Sequence, residues 1–222
     1  MTQPSNPPKS KLGLIVECGP LGADLKVFRH VIETLRPDLE IVPITLDNKK
    51  KLVADCGTAA QLLLKQGCKR VVIVWDLFPA WREDGQKPCR KEDRQNVFDS
   101  LGAAGVPKPA FESPDDQTAD ARQVFLVCIQ EELEAWLLAD HQAIAQVLSK
   151  PTHKVRIAAV KNPETVDNPK KRLARFFKQA GQEYNDRVHA ERVIKAVTDL
   201  RRLARACPTF ARFALHAANK IW

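Results

Sequence analysis

The sequence predicts an α/β fold, a mainly parallel sheet flanked by helices and followed by a basic α-helical C-terminal extension. Three observations point there. Short unbroken apolar runs at 12–16, 71–75 and 124–129 have the length and β-branched content of strands buried on both faces. Stretches with helical periodicity separate them, as crossover helices separate parallel strands. The charge is also split: 17 of the 35 Lys/Arg but only 6 of the 27 Asp/Glu lie from Lys150 onward. The first 149 residues are therefore mildly acidic and the remainder strongly basic.

The elements follow in order. Residues 1–11, rich in Pro, Ser, Asn and Lys, read as a flexible N-terminus without the apolar core of a signal peptide. Leu12 to Val16 is a buried-type strand that ends at Glu17. After a Gly19–Gly22 turn, Leu25, Phe28, Ile32 and Leu35 form one helical stripe that stops near Pro37. Ile41 to Ile44 is a second strand, and Pro43 assigns it to a sheet edge because proline gives no ladder donor. Leu52 to Gln66 is helical, with Gly67 as its stop. Val71 to Trp75 is the clearest central strand and ends at Asp76. A polar loop to about Lys91 precedes a helix to Leu101, and Val124 to Ile129 runs into Gln130-Glu131-Glu132. This α/β unit spans 12–149.

From 150 to 222 the chain reads as basic helices packed on that unit. Leu173, Phe176, Phe177 and Ala180 make an apolar face, with Lys171, Arg175 and Lys178 on another. The next helix is expected to place Val193, Ala196, Val197, Leu200 and Ala204 inward. Phe210, Phe213 and Leu215 are expected to close against the body.

Several function classes drop out. No apolar stretch nears the roughly 18 residues of a membrane span, so the expectation is a cytoplasmic protein without a membrane partner. The six cysteines lie apart, with no Cys-x-x-Cys pair, and read as reduced thiols. Gly19-Pro20-Leu21-Gly22 lacks the Gly-Lys-Ser/Thr of a phosphate loop, and a Rossmann-type glycine fingerprint is missing. The histidines have no ligand spacing, and no serine or cysteine nucleophile pattern stands out.

What remains is acidic. Glu17, Asp76 and the Glu131–Glu134 cluster all fall at the carboxyl ends of predicted strands, where open α/β sheets bind ligands. Carboxylates converging from separate elements suit a hard divalent cation, which in turn supports phosphodiester cleavage. In the third cluster, a strand running through 134 puts Glu132 and Glu134 on one face. An earlier helix start pairs Glu131 with Glu134 instead. The plain alternatives are a capping role or lysine pair for Glu17, a turn role for Asp76, and a solvated first helical turn for the cluster.

Ile15-Val16-Glu17-Cys18-Gly19 with Asp24 resembles the Glu-Gly motif that opens Toprim domains, and Val71 to Asp76 resembles their second acidic strand. Ile129 to Asp140, with Glu132-x-Glu134-Ala135, is similar to a segment of an uncharacterised bacterial family related to RloB-like proteins and OLD-type Toprim nucleases. Asn168-Pro169-Lys170 and Thr209-Phe210 extend that likeness over most of the chain. It departs from the pattern in three places: Cys18 interrupts Glu-Gly, Asp24 lies further from Glu17 than the standard spacing, and Phe78 stands where Asp-x-Asp has its second acid. Glu83 or Asp84 is the nearest substitute.

The resemblance implies a Toprim-like fold and a nuclease dependent on Mg²⁺ or Mn²⁺, the effector of a defence system against phage or mobile DNA with an ATPase partner. Glu17, Asp76, Glu132 and Glu134 are the catalytic candidates it implies, and these with Asp24 are the metal ligands. Lys170, Lys171, Arg172, Arg175 and Lys178 are dense enough to contact nucleic-acid phosphates, and Trp81 is a stacking candidate. The competing expectation is a non-catalytic Toprim-like subunit that docks on or regulates an ATPase.

Overall fold

The structure, a computed structural model, describes residues 9–79, 87–107 and 124–222. Most of the expected flexible N-terminus, together with Trp81, Glu83 and Asp84, lies outside the described residues.

Four strands form one all-parallel sheet: β1 (Ser10–Val16), β2 (Leu39–Thr45), β3 (Arg70–Asp76) and β4 (Val124–Ile129), in the order β2-β1-β3-β4. Pro43 sits in edge strand β2 opposite Leu14, as its missing N–H requires. Helix α1 (Ala23–Leu35) packs on one face with Leu12, Leu14, Val72, Val74, Phe125 and Val127. Helices α2 (Lys49–Lys65) and α3 (Arg90–Ala103) pack on the other with Ile15, Val71, Ile73, Trp75, Leu126 and Cys128. The period-2 alternation of strand side chains produces this split, and apolar residues at both parities are why the strands read as unbroken runs.

Helices α2 and α3 approach so closely at Gly57 that a Cβ there would lie 2.0 Å from the Ser100 carbonyl oxygen. The Ser100 hydroxyl ties the crossing, accepting from Gly57 N at 3.0 Å and donating to Ala54 O at 2.8 Å.

The α1 face is covered by α4 (Glu134–Leu138), α5 (His141–Leu148), α6 (Pro169–Gln179), α7 (Asp186–Ala196), α8 (Leu200–Ala206) and α9 (Pro208–Ala218). At the centre Trp136 is fully buried against Phe28, Phe210 and Phe213, with ring centroids 5.2–5.6 Å apart. The helices after residue 150 thus share one continuous core with the sheet and α1.

Two C-terminal expectations are corrected. The helix expected to run through Leu200 and Ala204 is two helices. α7 ends at Ala196, and Asp199 caps α8 by accepting from Arg201 N at 3.0 Å. The β-branched pair Val197-Thr198 followed by an aspartate favours a break and a fresh N-terminus over continuation. Leu215 is 40% exposed, while Phe210 and Phe213 are buried as expected. No helix among the described residues is long and apolar enough to cross a membrane.

Candidate functional site

β1 and β3 are neighbours whose following helices, α1 and α3, leave toward opposite faces. Such a reversal opens a crevice at the carboxyl ends of the two strands. Glu17 follows β1 and Asp76 ends β3, so strand register alone brings two acids from distant sequence to one place. They touch: Asp76 N donates to Glu17 Oε1 at 3.2 Å. The other Glu17 oxygen, Oε2, is buried with no hydrogen-bond partner, an arrangement that costs free energy for a charged carboxylate.

Asp24 enters from the first turn of α1. The third cluster arrives by neither route the sequence left open. β4 ends at Ile129, and Glu131 adopts the left-handed backbone at φ 64°. It is tied to the end of β3 by a hydrogen bond from Phe78 N to its carbonyl at 2.9 Å. A turn closed by Ala135 N donating to Glu132 O then leads into α4. Positive φ in a non-glycine residue is a strained choice that recurs where a site is being shaped. Here it separates the roles of the glutamates. Glu131 borders a surface cavity with Phe78, Asp167 and Asn168. Glu132 accepts from Lys170 N at 3.1 Å, satisfying a donor at the start of α6. Glu134 is buried and accepts from the Tyr184 hydroxyl at 3.1 Å.

The electrostatics describe one acidic rim. Burial pushes the Glu17 carboxyl up to about 8, with the Asp24 charge adding to the push and Lys49 opposing it. Burial raises Asp24 to about 6, against the pull of Lys170. Asp76 is held well above the ordinary carboxylate range by burial and then by the charges of Asp24, Glu17 and Glu134, while a hydrogen bond from Leu133 N works the other way. Burial lifts Glu134 to about 7, again opposed by Lys170. Like charges withdrawn from water favour protonation or a counter-cation.

Two lysines supply part of that counter-charge, and the sequence had not assigned them to the rim. The Lys49 ammonium donates to the carbonyls of Leu77 (2.6 Å) and Pro79 (2.7 Å) and lies 3.4 Å from Asp93. Lys170 pairs with Asp186 at 2.5 Å. Burial opposes its charge, yet that hydrogen bond and the charges of Glu134 and Glu132 hold its ammonium above the ordinary value. Lys170 therefore belongs to the acidic rim as well as to the basic helix. Of the other basic candidates, Lys171, Arg172 and Arg175 line a groove beside α6, and Lys178 is exposed in its last turn.

Tyr184, Asp186 and Lys49 also escaped sequence reading. Each lies in a polar stretch that does not mark which side chain turns inward, and packing makes it part of the site. The signal that could have found Lys170 is its place at the start of a helix capped by Asn168, beside acids that need compensation.

An orphaned, buried Glu17 oxygen beside Asp76 and Asp24 is an oxygen-donor set that suits a hard divalent cation. In the side-chain positions seen, no three His, Cys, Asp or Glu among the described residues are gathered tightly enough to hold one ion.

Residues 42–216 match the family described as "Domain of unknown function (DUF4276)". The chain belongs to the DUF4276 family. The matched span includes Asp76, Glu132, Glu134, Lys170 and Tyr184, whereas Glu17 and Asp24 precede it. No curated protein and no solved structure matches the chain.

Proposed function

We propose that this DUF4276 chain is a divalent-metal-dependent nuclease of Toprim type, related to RloB-like and OLD-type proteins, that works in the cytoplasm as the effector of a bacterial defence system with an ATPase partner. The observation that carries the reading is the buried, unpartnered Glu17 oxygen in a rim shared with Asp76, Asp24 and Glu134, at the sheet's topological switch point. Glu17 is the first ligand for Mg²⁺ or Mn²⁺ and the general base, Asp76 the second ligand, with Asp24, Glu132 and Glu134 completing or flanking the site. When bound, the ion supplies Lewis-acid charge at a phosphate and a water acidic enough to attack at neutral pH. The protein's own groups do the positioning. Leu133 N orients Asp76, Tyr184 holds Glu134, and Lys170 offsets acid charge on the side where the basic helix begins.

The test is purified protein on plasmid, single-stranded DNA and tRNA, with Mn²⁺ or with EDTA. Cleavage that needs Mn²⁺ and is lost in Glu17→Gln supports the assignment. Intact substrates, with and without the partner ATPase, defeat it.

A second reading rests on Lys49 and Lys170, which already balance part of the acid charge. Under it the chain is a non-catalytic Toprim-like subunit that docks on or regulates an ATPase. Calorimetric titration with Mn²⁺ separates the two: a site that binds no ion fits the docking subunit.

A further inference from the structure

An acidic rim repels the polyanion it is proposed to cut, so the substrate must be gripped from the side. A groove beside α6, among the described residues, fits that part. This groove of about 350 Å³ lies between residues 159–161 and α6, and Lys161, Lys171, Arg172 and Arg175 line it against a single acid, Asp167. All four cations are exposed. Arg172 lies over an aromatic ring, its guanidinium carbon 5.1 Å from the Phe176 ring centroid. A second cavity of about 250 Å³ shares Asp167 and Asn168 with the first and is bounded on its far side by Phe78, Glu131 and Glu132. The basic groove thus adjoins a cavity that reaches the Glu132 side of the acidic rim, with the 41%-exposed Phe78 in its lining.

The dimensions and chemistry discriminate between substrates. Cavities this small take one nucleotide each, and a duplex is far broader. A duplex also keeps its base faces stacked inside, so it has none to offer to Phe78. Cations that track a backbone next to an exposed aromatic ring are the combination that holds single strands. Resting on the nuclease reading, we propose that the substrate is a single-stranded polynucleotide. Its phosphates lie along Lys161, Lys171, Arg172 and Arg175, and its next base stacks on Phe78 at the entrance to the rim.

Fluorescence anisotropy in EDTA, where nothing is cut, tests this on the full chain with a labelled single-stranded DNA 15-mer, the RNA of the same sequence and the blunt DNA duplex. At least one single strand should bind tenfold or more tighter than the duplex, and the DNA and RNA arms say which sugar is preferred. The Lys171→Gln/Arg175→Gln variant should bind at least tenfold more weakly at moderate salt. Its log–log salt slope should be shallower by about 1.4, the loss of two single-strand phosphate contacts. Phe78→Ala should weaken binding about tenfold with the slope unchanged, as removal of one stacking partner predicts. Lys65→Gln, on the opposite face of the sheet, should bind like wild type. Equal or tighter duplex binding, or an unchanged slope in the double variant, overturns the proposal. Single strands bound as expected but left intact in Mn²⁺ sink the nuclease reading and leave the groove standing. Cleavage indifferent to Lys171 and Arg175 sinks the groove instead.

Discussion

Glu164 and Glu17 are both acids withdrawn from water, in different parts of the molecule, and the protein treats them in opposite ways. Glu164 precedes α6 and is fully provided for. Its Oε1 accepts from Thr209 N at 3.0 Å and from the Thr209 hydroxyl, which itself accepts from Trp136 Nε1 at 2.8 Å. That chain ties α4, the 163–165 turn and α9 together around the aromatic centre. Glu17 has one long contact and one oxygen with none. The first arrangement has every partner it needs and is a lock. The second is left incomplete at the mouth of the sheet, where a ligand can finish it. Thr209-Phe210, legible in the sequence as part of a family-like pattern, thus takes a structural meaning rather than a chemical one.

The sharpest way to break this contrast is to swap the outcomes. Glu17→Gln should cut Mn²⁺-dependent cleavage by about 100-fold or more, the scale on which metal and base groups act. It should also raise the melting temperature in EDTA near neutral pH, because folding then no longer has to withdraw from water a carboxyl that must first take up a proton. A variant that loses stability and keeps activity would make Glu17 the lock.

Thr209→Val should do the reverse. It leaves the Trp136 N–H and the Glu164 carboxylate short of partners, which costs roughly 1–3 kcal/mol per group and lowers the melting temperature by about 5–20 °C. Cleavage per folded molecule should stay at the wild-type level. Thermal denaturation beside a single-turnover assay reads both.

Acidity sharpens the comparison further. Glu17, Asp24 and Glu134 all have folded-state values above their ordinary ones, to about 8, 6 and 7. The folded protein therefore binds more protons than the unfolded chain across this window. The stability these groups contribute is full below about pH 4 and is lost as the pH rises through 6 to 8. In EDTA the melting temperature should fall between pH 5 and pH 8, and Mn²⁺ should offset the fall. A Glu17→Gln protein should show a smaller drop, and an equal drop would remove Glu17 from the account.

The smallest effect is expected at Tyr184. Its hydroxyl gives Glu134 a hydrogen bond at 3.1 Å, so Tyr184→Phe should cost about 1 kcal/mol. A melting curve that matches wild type would show that Glu134 does not depend on it.

Much of this was legible along the chain. The strand runs, the edge position of Pro43, the stop at Gly67, and the core role of Trp75 follow from local pattern, because burial on two faces leaves an unbroken apolar signature. Glu17 and Asp76 could also be named as candidates, since strand ends are where such sheets bind, and Asp24 entered through the resemblance to the Glu-Gly motif. The Glu131–Glu134 segment could not be resolved. Its geometry turns on one left-handed residue that is held by a hydrogen bond from another strand's end.

Taken alone, then, the sequence determined the parallel α/β class, the strands and the acids that sit at their ends. These are set by periodicity and by residue chemistry within a few positions. The tertiary structure decided that Glu17 meets Asp76, that Lys49, Lys170 and Tyr184 join them, and that the basic helix opens toward the same rim. Those outcomes depend on which strands become neighbours and on how the cover layer of helices packs. Both are set by contacts between residues up to 161 positions apart, as between Lys26 and Arg187 or Arg70 and Asn219, and no local pattern encodes them.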